Sequence, residues 1–314
     1  MKRSLRDVAA LVVVLLAAGL LQATPAAAVT VLPAPGAFID GVPVALPYDD
    51  FFSYSGGLLF KLDPKTPLDL SAFGGPAGTG HLDVLLYTGA GGASNDTVAG
   101  GFVFEDPVDA PGGNVSAFSG TWGAGLQPKG PVTVDNLLAY LHNQFGVANN
   151  IPVFTFDIAE PGSAASRDLR VVARFDVVNP NGPGAADDVL IHSWFLDNTP
   201  NGLWDPASFI TVPGEINVTG TSMNYTVDTT GSGKADFIIF SPTMDLSLYN
   251  SPGYEFRAFL SLTDIDGAAE EAFISGSFTT GTPPQPQPEI PEPASMLLMG
   301  LGGLGLLGRR RLFA

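Results

Sequence analysis

Residues 169–177 read LRVVARFDV, and the pattern of this stretch decides the fold class. The side chains on one side of it are those of Leu169, Val171, Ala173, Phe175 and Val177. Those on the other side are Arg170, Val172, Arg174 and Asp176. Because successive side chains of a strand point to opposite faces, this alternation predicts a half-buried β-strand with one face on a core and one in solvent.

The same alternation recurs at residues 153–158 and 256–262. Further predicted strands are residues 57–62, 81–87, 101–104, 236–240 and 272–278. The chain has 38 glycines and 27 prolines in 314 residues, and 14% of its residues are charged. This composition opposes a helical bundle and favours short strands joined by tight turns. The sequence therefore predicts an all-β sandwich or jelly-roll-like ectodomain over residues 29–281, with two sandwiches divided near residue 150 as the alternative.

One short helix is expected to pack against this β-rich body. Thr133 is placed to cap its first turn, and Gly146 is placed to end it. The apolar positions between them are Leu137, Leu138, Leu141 and Phe145. Their spacing is typical of a helix that buries one face, and nothing on the helix indicates a role beyond the core.

The charge of the chain excludes one class of partner, and its lack of cysteine excludes several kinds of site. The formal net charge is −17, from 31 acidic and 14 basic residues. Binding to nucleic acid needs a positive surface, so nucleic acid is not expected as a partner. The absence of cysteine rules out disulfides, a thiolate nucleophile and metal sites with cysteine ligands.

Residues 1–28 have the three parts of a secretory signal peptide. Lys2, Arg3 and Arg6 form a basic start, and an apolar run follows at residues 8–21. Ala26 and Ala28 then supply the small residues that signal peptidase requires before the cleavage site. The sequence predicts export across the inner membrane and a mature chain that begins at Val29. A retained membrane anchor is the alternative reading.

The C-terminal end has a second three-part pattern. Residues 282–293 read TPPQPQPEIPEP, which predicts an extended spacer. Residues 294–308 are an apolar run that would span about 22 Å as a helix, short of a bilayer core of ~30 Å. An arginine cluster ends the pattern: Arg309, Arg310 and Arg311. Such a cluster stays on the cytoplasmic side and leaves the body outside.

This tail resembles that of PEP-CTERM proteins, in which a Pro-Glu-Pro motif precedes an apolar helix and terminal arginines. Here the motif is Pro291, Glu292 and Pro293, and residues 294–314 form the sorting helix with its arginine cluster. The resemblance implies processing near the motif by a membrane exosortase in a Gram-negative bacterium. It also implies a transient C-terminal anchor, followed by residence at the cell surface or in an exopolysaccharide matrix.

Catalytic motifs are absent from the sequence. It contains no G-x-S-x-G, no H-E-x-x-H and no P-loop, and its three histidines show no ligand spacing. We therefore expect a non-catalytic structural or binding role for the body. A secreted hydrolase acting on polysaccharide is one alternative, because carboxylate pairs cannot be recognised from sequence. A carbohydrate-binding module that needs calcium is the other.

The tryptophans bear on the carbohydrate-binding alternative. Trp122 lies between glycines in the sequence GTWG at residues 120–123. A ring in such a loop serves either as an exposed platform for a sugar or as an anchor in the core. An exposed Trp122 or Trp204 on a shallow face would favour the binding module.

Two loops of matching spacing suggest a calcium site. Residues 197–205 and 228–236 place oxygen ligands at positions 1, 3, 5, 7 and 9 of an EF-hand-like pattern. The first set is Asp197, Thr199, Asn201, Leu203 and Asp205, with Leu203 offering its backbone carbonyl. The second set is Asp228, Thr230, Ser232, Lys234 and Asp236, with Lys234 in that role. Position 12 is not glutamate, so weak Ca²⁺ binding is expected, and Asx-stabilised turns are the alternative.

Overall fold

The computed structural model describes only part of the chain. The residues described are 32, 38–39, 42–43, 45–56, 83–89, 94–95, 102, 104–110, 115–125, 130–146, 149–158, 169–181, 187–211, 215–217, 224–226, 236–266 and 270–278. All of them lie in a unit that extends from Met1 to Thr279, and Thr280–Ala314 form a second unit. The signal sequence, the predicted strand 57–62, the spacer and the sorting tail lie outside the described residues.

Sixteen strands and one α-helix occur in the described residues. The strands are β1 (Phe38–Ile39), β2 (Val42–Pro43), β3 (Leu46–Tyr48), β4 (Phe51–Ser55), β5 (Asp83–Tyr87), β6 (Val108–Asp109), β7 (Ala117–Trp122), β8 (Ile151–Asp157), β9 (Arg170–Asn179), β10 (Val189–Leu196), β11 (Ile210–Thr211), β12 (Glu215–Asn217), β13 (Asn224–Thr226), β14 (Phe237–Phe240), β15 (Glu255–Thr263) and β16 (Glu271–Phe278). The helix α1 is Val134–Phe145, and a 3-10 helix covers Leu246–Tyr249. None of the helices in the described residues is long and apolar enough to span a bilayer.

Two sheets form the body of the protein. The front sheet has the strand order β10-β9-β15-β7, with β11 also paired to β9. The back sheet has the order β3-β4-β14-β8-β16-β5-β6. Strands from both sides of residue 150 pair with one another in each sheet, for example β7 with β15 and β4 with β14. The predicted all-β sandwich is confirmed.

Aromatic side chains from the two sheets pack against one another in the core. The ring of Phe154 on β8 stacks on that of Phe175 on β9, with centroids 4.4 Å apart. Phe51 on β4 lies 5.2 Å from Phe175, and Phe256 on β15 lies 6.3 Å from Phe154. Burial of such large rings contributes much of the apolar stabilisation of a domain. The core therefore lies between the front and back sheets.

The alternation in residues 169–177 correctly identifies the core face of β9. Its inward side chains are fully buried: Val171, Ala173, Phe175 and Val177. The expectation of a solvated outer face is wrong at two positions, because Val172 is 0% and Asp176 is 7% exposed. Asp176 is enclosed by hydrogen bonds to side chains of its own sheet. Alternation reports which face meets the partner sheet, but it does not report what covers the other face.

Helix α1 begins and ends where the sequence predicts. The Thr133 hydroxyl oxygen accepts a hydrogen bond from the Asn136 N–H at 3.2 Å. Gly146 ends the helix with φ 106°, and its N–H donates to the His142 carbonyl at 3.0 Å. The predicted stripe is buried, and the helix contacts β15, β16 and the 3-10 helix.

The predicted strand at residues 101–104 is wrong for the residues described there. Phe102 and Phe104 lie in irregular chain, and both rings pack edge-on against Tyr140 of α1, at 6.5 and 5.3 Å. The alternating apolar residues here pack against helix α1 and do not form part of a strand. The other predicted strands with described residues correspond to β5, β8, β9, β14, β15 and β16, with ends shifted by a few residues.

The outer faces of the two sheets differ in chemistry. The outer face of the back sheet carries a second apolar cluster: Leu32, Ala45, Tyr54, Ile151, Val153, Ile238 and Phe240. The outer face of the front sheet carries arginines, carboxylates and hydroxyls beside the rings of Phe195 and Phe259. The candidate functional site lies on the front sheet for this reason.

Candidate functional site

A loop interrupts one edge of the front sheet. Leu196, the last residue of β10, pairs with Ala173 of β9, and Ile210, the first of β11, pairs with Val171. Residues 197–209 therefore leave the edge of β9 beside Ala173 and return to the same edge beside Val171, two residues away. We call these residues the Trp204 loop. A loop whose two ends meet in this way is an Ω loop, a type often associated with function.

Hydrogen bonds at its base close the Trp204 loop. The Asn198 N–H donates to the Ser208 carbonyl at 2.9 Å, and the hydroxyls of Thr199 and Ser208 are 2.6 Å apart. The Asp197 carboxylate is fully buried, and its two oxygens accept from the N–H groups of Thr199 at 2.8 Å and Asp205 at 3.2 Å. These bonds give the loop one defined conformation.

Two further Asx turns shape the tip of the loop. The Asn201 side-chain oxygen accepts from the Leu203 N–H at 2.8 Å, and an Asp205 carboxylate oxygen accepts from the Ala207 N–H at 3.0 Å. Each side chain proposed as a calcium ligand in this loop thus makes a hydrogen bond within the loop. This is the geometry of the alternative reading, in which side chains of this type stabilise turns.

A turn of the back sheet supports the Trp204 loop. The Asp49 carboxylate accepts from the Gly202 N–H at 2.9 Å. The neighbouring Asp50 exchanges two bonds with Phe195 of β10: its carboxylate accepts from the Phe195 N–H at 2.8 Å, and its N–H donates to the Phe195 carbonyl at 3.2 Å. Edge strands with unpaired backbone groups invite pairing with other chains, and these bonds cover part of the β10 edge.

Burial and, to a smaller extent, mutual repulsion act on the carboxylates at this end of the sandwich. Burial raises the pKa of Asp197 above its usual range; the N–H groups of Thr199 and Asp205 oppose this, and the charges of Asp49 and Asp205 add to it. Burial also raises the pKa of Asp49, against the effect of the Gly202 N–H and together with the charge of Asp50. Burial is the larger cause for both groups, so the folded chain disfavours the ionised form of each carboxyl group.

The structure bears only partly on the predicted calcium ligands. Within the described residues, no group of three or more His, Asp or Glu side chains is arranged to hold a metal ion. Residues 228–235 of the second loop lie outside the described residues. Asp236 is described, and its carboxylate accepts from the Ile158 N–H at 3.0 Å at the end of β8. Calcium binding therefore stays a prediction.

Trp204 lies over a row of side chains on the outer face of the front sheet. Phe195, Arg174 and Phe259 are cross-strand neighbours on β10, β9 and β15. The Arg174 Cζ is 5.8 Å from the centre of the Trp204 ring, within the range of a cation–π contact. The ring meets Phe259 edge-on at 6.0 Å and Phe195 at 5.9 Å with a tilt of 37°. Trp204 itself is partly exposed.

Charge pairing holds Arg174 in place beneath the indole. Its Nε donates to the Asp176 carboxylate at 2.9 Å, and the Ser193 hydroxyl donates to the same carboxylate at 2.6 Å. The Arg174 side chain is still 40% exposed. On the next strand, Arg257 is paired with both Asp188 and Glu255, each at 2.6 Å. The positive charges of this face are therefore neutralised locally.

Trp122 and Trp194 are both core residues. Trp122 is 0% exposed, its ring packs on Phe104 at 6.1 Å, and its N–H donates to the Glu105 carbonyl at 3.1 Å. The hypothesis of an exposed platform at Trp122 is wrong, and the alternative of an anchor in the core is correct. Trp194 is also 0% exposed and packs against His192 and Tyr249.

The order of residues in the sequence contains part of the information that is needed to find the Trp204 site. Alternation places Arg174 on the outer face of β9, and Trp204 follows β10, the strand beside β9, by eight residues. Only the pairing of strands across the sheet brings the two side chains together. The row of Phe195, Arg174 and Phe259 could not be assembled without that register.

Comparison with known proteins identifies the tail and not the body. The family model described as PEP-CTERM protein-sorting motif matches residues 289–311, which include Pro291–Glu292–Pro293 and Arg309–Arg311. The chain carries a PEP-CTERM sorting motif. No curated protein and no solved structure matches the chain.

The PEP-CTERM motif bears on the export and sorting of the chain. It implies export, a C-terminal sorting signal that anchors the chain in the membrane, and processing by an exosortase. The match begins at residue 289, after the last strand of the sandwich ends at Phe278, so the role of the body depends on the geometry described above.

Proposed function

We propose that this chain is a non-catalytic binding or structural protein of the cell surface or extracellular matrix of a Gram-negative bacterium. The observation that carries the proposal is the PEP-CTERM motif at residues 289–311, attached to a body with a two-sheet sandwich fold. The motif supports delivery to the outside of the inner membrane. The sandwich supports a stable module that presents loops and an open sheet face there.

The Trp204 loop supports a binding role over a catalytic one. A partly exposed indole above a sheet face, with an arginine fixed by a carboxylate, is a surface for contact. Aromatic rings with a few oriented polar groups are typical of ligand-binding sites. On this basis we favour binding over the polysaccharide hydrolase that the sequence left as an alternative.

Processing of both ends tests the proposal. Protein recovered from the native host should begin near Val29 and end near Glu292 by intact-mass measurement, because both apolar ends are removed. Glu292→Ala should leave the tail attached, whereas Glu289→Ala, a neighbouring glutamate outside the Pro-Glu-Pro triplet, should be processed normally. Recovery of chains that still carry Arg309–Arg311 from a host with an active exosortase would contradict the proposal.

An assay for turnover tests the absence of catalysis. The purified chain should release no reducing ends from a panel of neutral and acidic polysaccharides. The carboxylates to examine are those of the repelling cluster at the sandwich end, Asp49, Asp197 and Asp205. Turnover that a single substitution such as Asp49→Asn abolishes would establish the hydrolase instead.

A further inference from the structure

One surface of the Trp204 ring has no ring, ion-pair or hydrogen-bond partner among the described residues. Phe195, Arg174 and Phe259 all project from the sheet, so they contact the ring from the sheet side. Among the described residues, Trp204 makes no other ring contact, hydrogen bond or ion pair. Because these contacts come from the sheet, we infer that the exposed part of the indole is the surface that turns away from the sheet.

The polar atoms around the ring are also available to a ligand. The Trp204 indole N–H forms no hydrogen bond with a described residue, and it is not among the buried polar atoms that lack a partner. Arg174 uses Nε for Asp176, and its side chain is 40% exposed. The ring thus has a donor at its edge and an oriented guanidinium beneath it.

Hydroxyl groups continue the surface across the sheet. Thr121 of β7 is in register with Phe259, and Ser119 and Ser261 form the next outward pair. Ser119 is exposed, Thr121 and Ser261 are partly exposed, and none of the three hydroxyls is hydrogen-bonded to a described residue. The distance from β10 to β7 is three strand spacings, about 14 Å. This length accommodates a short run of sugar rings.

The charge of the surface selects among possible ligands. Among the described residues of this face, Arg174 is paired with Asp176, and Arg257 with Asp188 and Glu255, so neither arginine is an uncompensated cation. The whole chain carries −17, which repels anionic polymers. A ligand with an apolar ring face, many hydroxyls and no charge fits all of these features.

We propose that the Trp204 ring and the adjoining hydroxyl-bearing face of the front sheet bind an uncharged polysaccharide of hexopyranose units. The C–H face of one sugar ring packs on the exposed surface of the indole, since the negative face of an aromatic ring attracts polarised C–H groups. Arg174, the indole N–H and the hydroxyls of Thr121, Ser119 and Ser261 hydrogen-bond the sugar hydroxyls. The proposal rests on the proposed function and names the ligand class of that role.

Binding by the full-length chain, in a detergent that contains no sugar, tests the ligand class. The probes are hydroxyethyl cellulose, galactomannan and dextran as neutral polymers, and alginate as an anionic one. We expect binding to at least one neutral polymer and none to alginate. Trp204→Ala should raise the Kd about tenfold, as expected for a central aromatic contact. Leu248→Ala, which removes a 73% exposed side chain of the 3-10 helix outside the Trp204 loop, should leave Kd unchanged.

Quenching of fluorescence gives a second measurement that needs no variant. Trp122 and Trp194 are 0% exposed, so collisional quenching by acrylamide reports mainly on Trp204. A bound neutral polymer should reduce this quenching in the wild-type chain. Binding without such protection would place the site elsewhere and overturn the proposal, even if Trp204→Ala proved unable to fold.

Three binding results would also overturn the proposal: no neutral polymer binds, alginate alone binds, or Trp204→Ala binds as tightly as wild type. These failures are separate from a failure of the proposed function. A chain that is processed at Val29 and Glu292 but binds no neutral polymer would keep its surface role and lose this ligand.

Discussion

Trp122 and Trp204 have similar local sequences and opposite environments. The first lies in GTWG at residues 120–123, the second in NGLWD at residues 201–205. Trp122 is the last residue of β7 and faces the core opposite Ala258 of β15. Trp204 belongs to no strand and lies over the outer face of the same sheet.

The difference shows that strand register, and not the neighbouring glycines, decides whether a tryptophan is buried. The side chain of a strand residue points to one face of the sheet or the other according to the position of the residue in the strand. A residue in a loop takes the position that the hydrogen bonds of the loop allow. The Asp197 carboxylate and the Gly202–Asp49 bond hold the Trp204 loop over the sheet.

Removal of the two rings should give the largest contrast. Trp122→Ala leaves a cavity in the core and should lower the free energy of unfolding by about 3–5 kcal/mol. Trp204→Ala removes a partly exposed ring with one cation–π contact and should cost about 1 kcal/mol or less. Denaturant unfolding of both variants measures the two values. Equal losses would show that the ring of Trp204 is also a core element.

Two glycines with positive φ give the next contrast. Gly123 has φ +84°, and an added Cβ would lie 2.2 Å from the Phe256 carbonyl oxygen. Gly202 has φ +69°, with nothing within 4 Å of an added Cβ. Gly202→Ala should therefore cost only the strain of the left-handed conformation, about 1 kcal/mol.

Gly123→Ala adds a backbone clash to that strain and should cost roughly 3 kcal/mol or more. Thermal melts of the two alanine variants separate the cost of the left-handed backbone conformation from the cost of the clash with the Phe256 carbonyl oxygen. A cost for Gly123→Ala no larger than that of Gly202→Ala would show that β15 moves aside freely.

Strands β9 and β15 and the ends of helix α1 were predictable because their signals are local, whereas β7, β10 and β11 of the front sheet were not among the predicted strands. The alternation of β9 and β15 and the caps of α1 require only neighbouring residues. The irregular chain at Phe102 and Phe104 was not predictable, because these rings pack on Tyr140, a residue distant in sequence. Contacts between residues that are distant in sequence are not encoded by any local pattern. They account for the difference between the predicted strand and the observed irregular chain.

The Trp204 loop shows a second limit of sequence patterns. Oxygen-bearing side chains at alternate positions are required by a calcium loop and equally by successive Asx turns. In the structure the oxygens of Asp197, Asn201 and Asp205 accept backbone N–H groups. Only the geometry of the loop distinguishes the two uses.

Asp197→Ala should destabilise the protein by about 1–3 kcal/mol, because it removes the acceptor of two backbone N–H groups in a buried site. Asn201→Ala is the matched control: it removes one acceptor in an exposed turn and should cost less. Melts with chelator give these values. Millimolar Ca²⁺ should then raise the melting temperature of wild type and not of Asp197→Ala if the predicted site binds. A melt unaffected by calcium in wild type, Asp197→Ala and Asp228→Ala would exclude it.

The smallest effect should come from the charge of Asp49. Its raised pKa means that the folded state holds the proton more tightly than the unfolded state, so stability is lost as pH rises above the ordinary Asp pKa of about 4. Asp49→Asn keeps a side-chain oxygen for the Gly202 N–H and tolerates the left-handed φ of 37°. It should be more stable than wild type at pH 7 by less than about 1 kcal/mol.

That advantage should vanish below pH 4, where the carboxyl group of the wild-type residue is protonated. Unfolding curves of wild type and Asp49→Asn at several pH values measure it. A difference that does not change with pH would mean that the cost of ionising the partly buried Asp49 carboxyl group is not its cause.

Acrylamide quenching of tryptophan fluorescence most directly tests the contrast between the buried ring of Trp122 and the partly exposed ring of Trp204. The chain has three tryptophans, and two of them, Trp122 and Trp194, are 0% exposed. Trp204→Phe should abolish most of the quenching, and Trp122→Phe should leave it nearly unchanged. Quenching that survives Trp204→Phe would contradict the account, because the accessible indole would then not be the one above the front sheet.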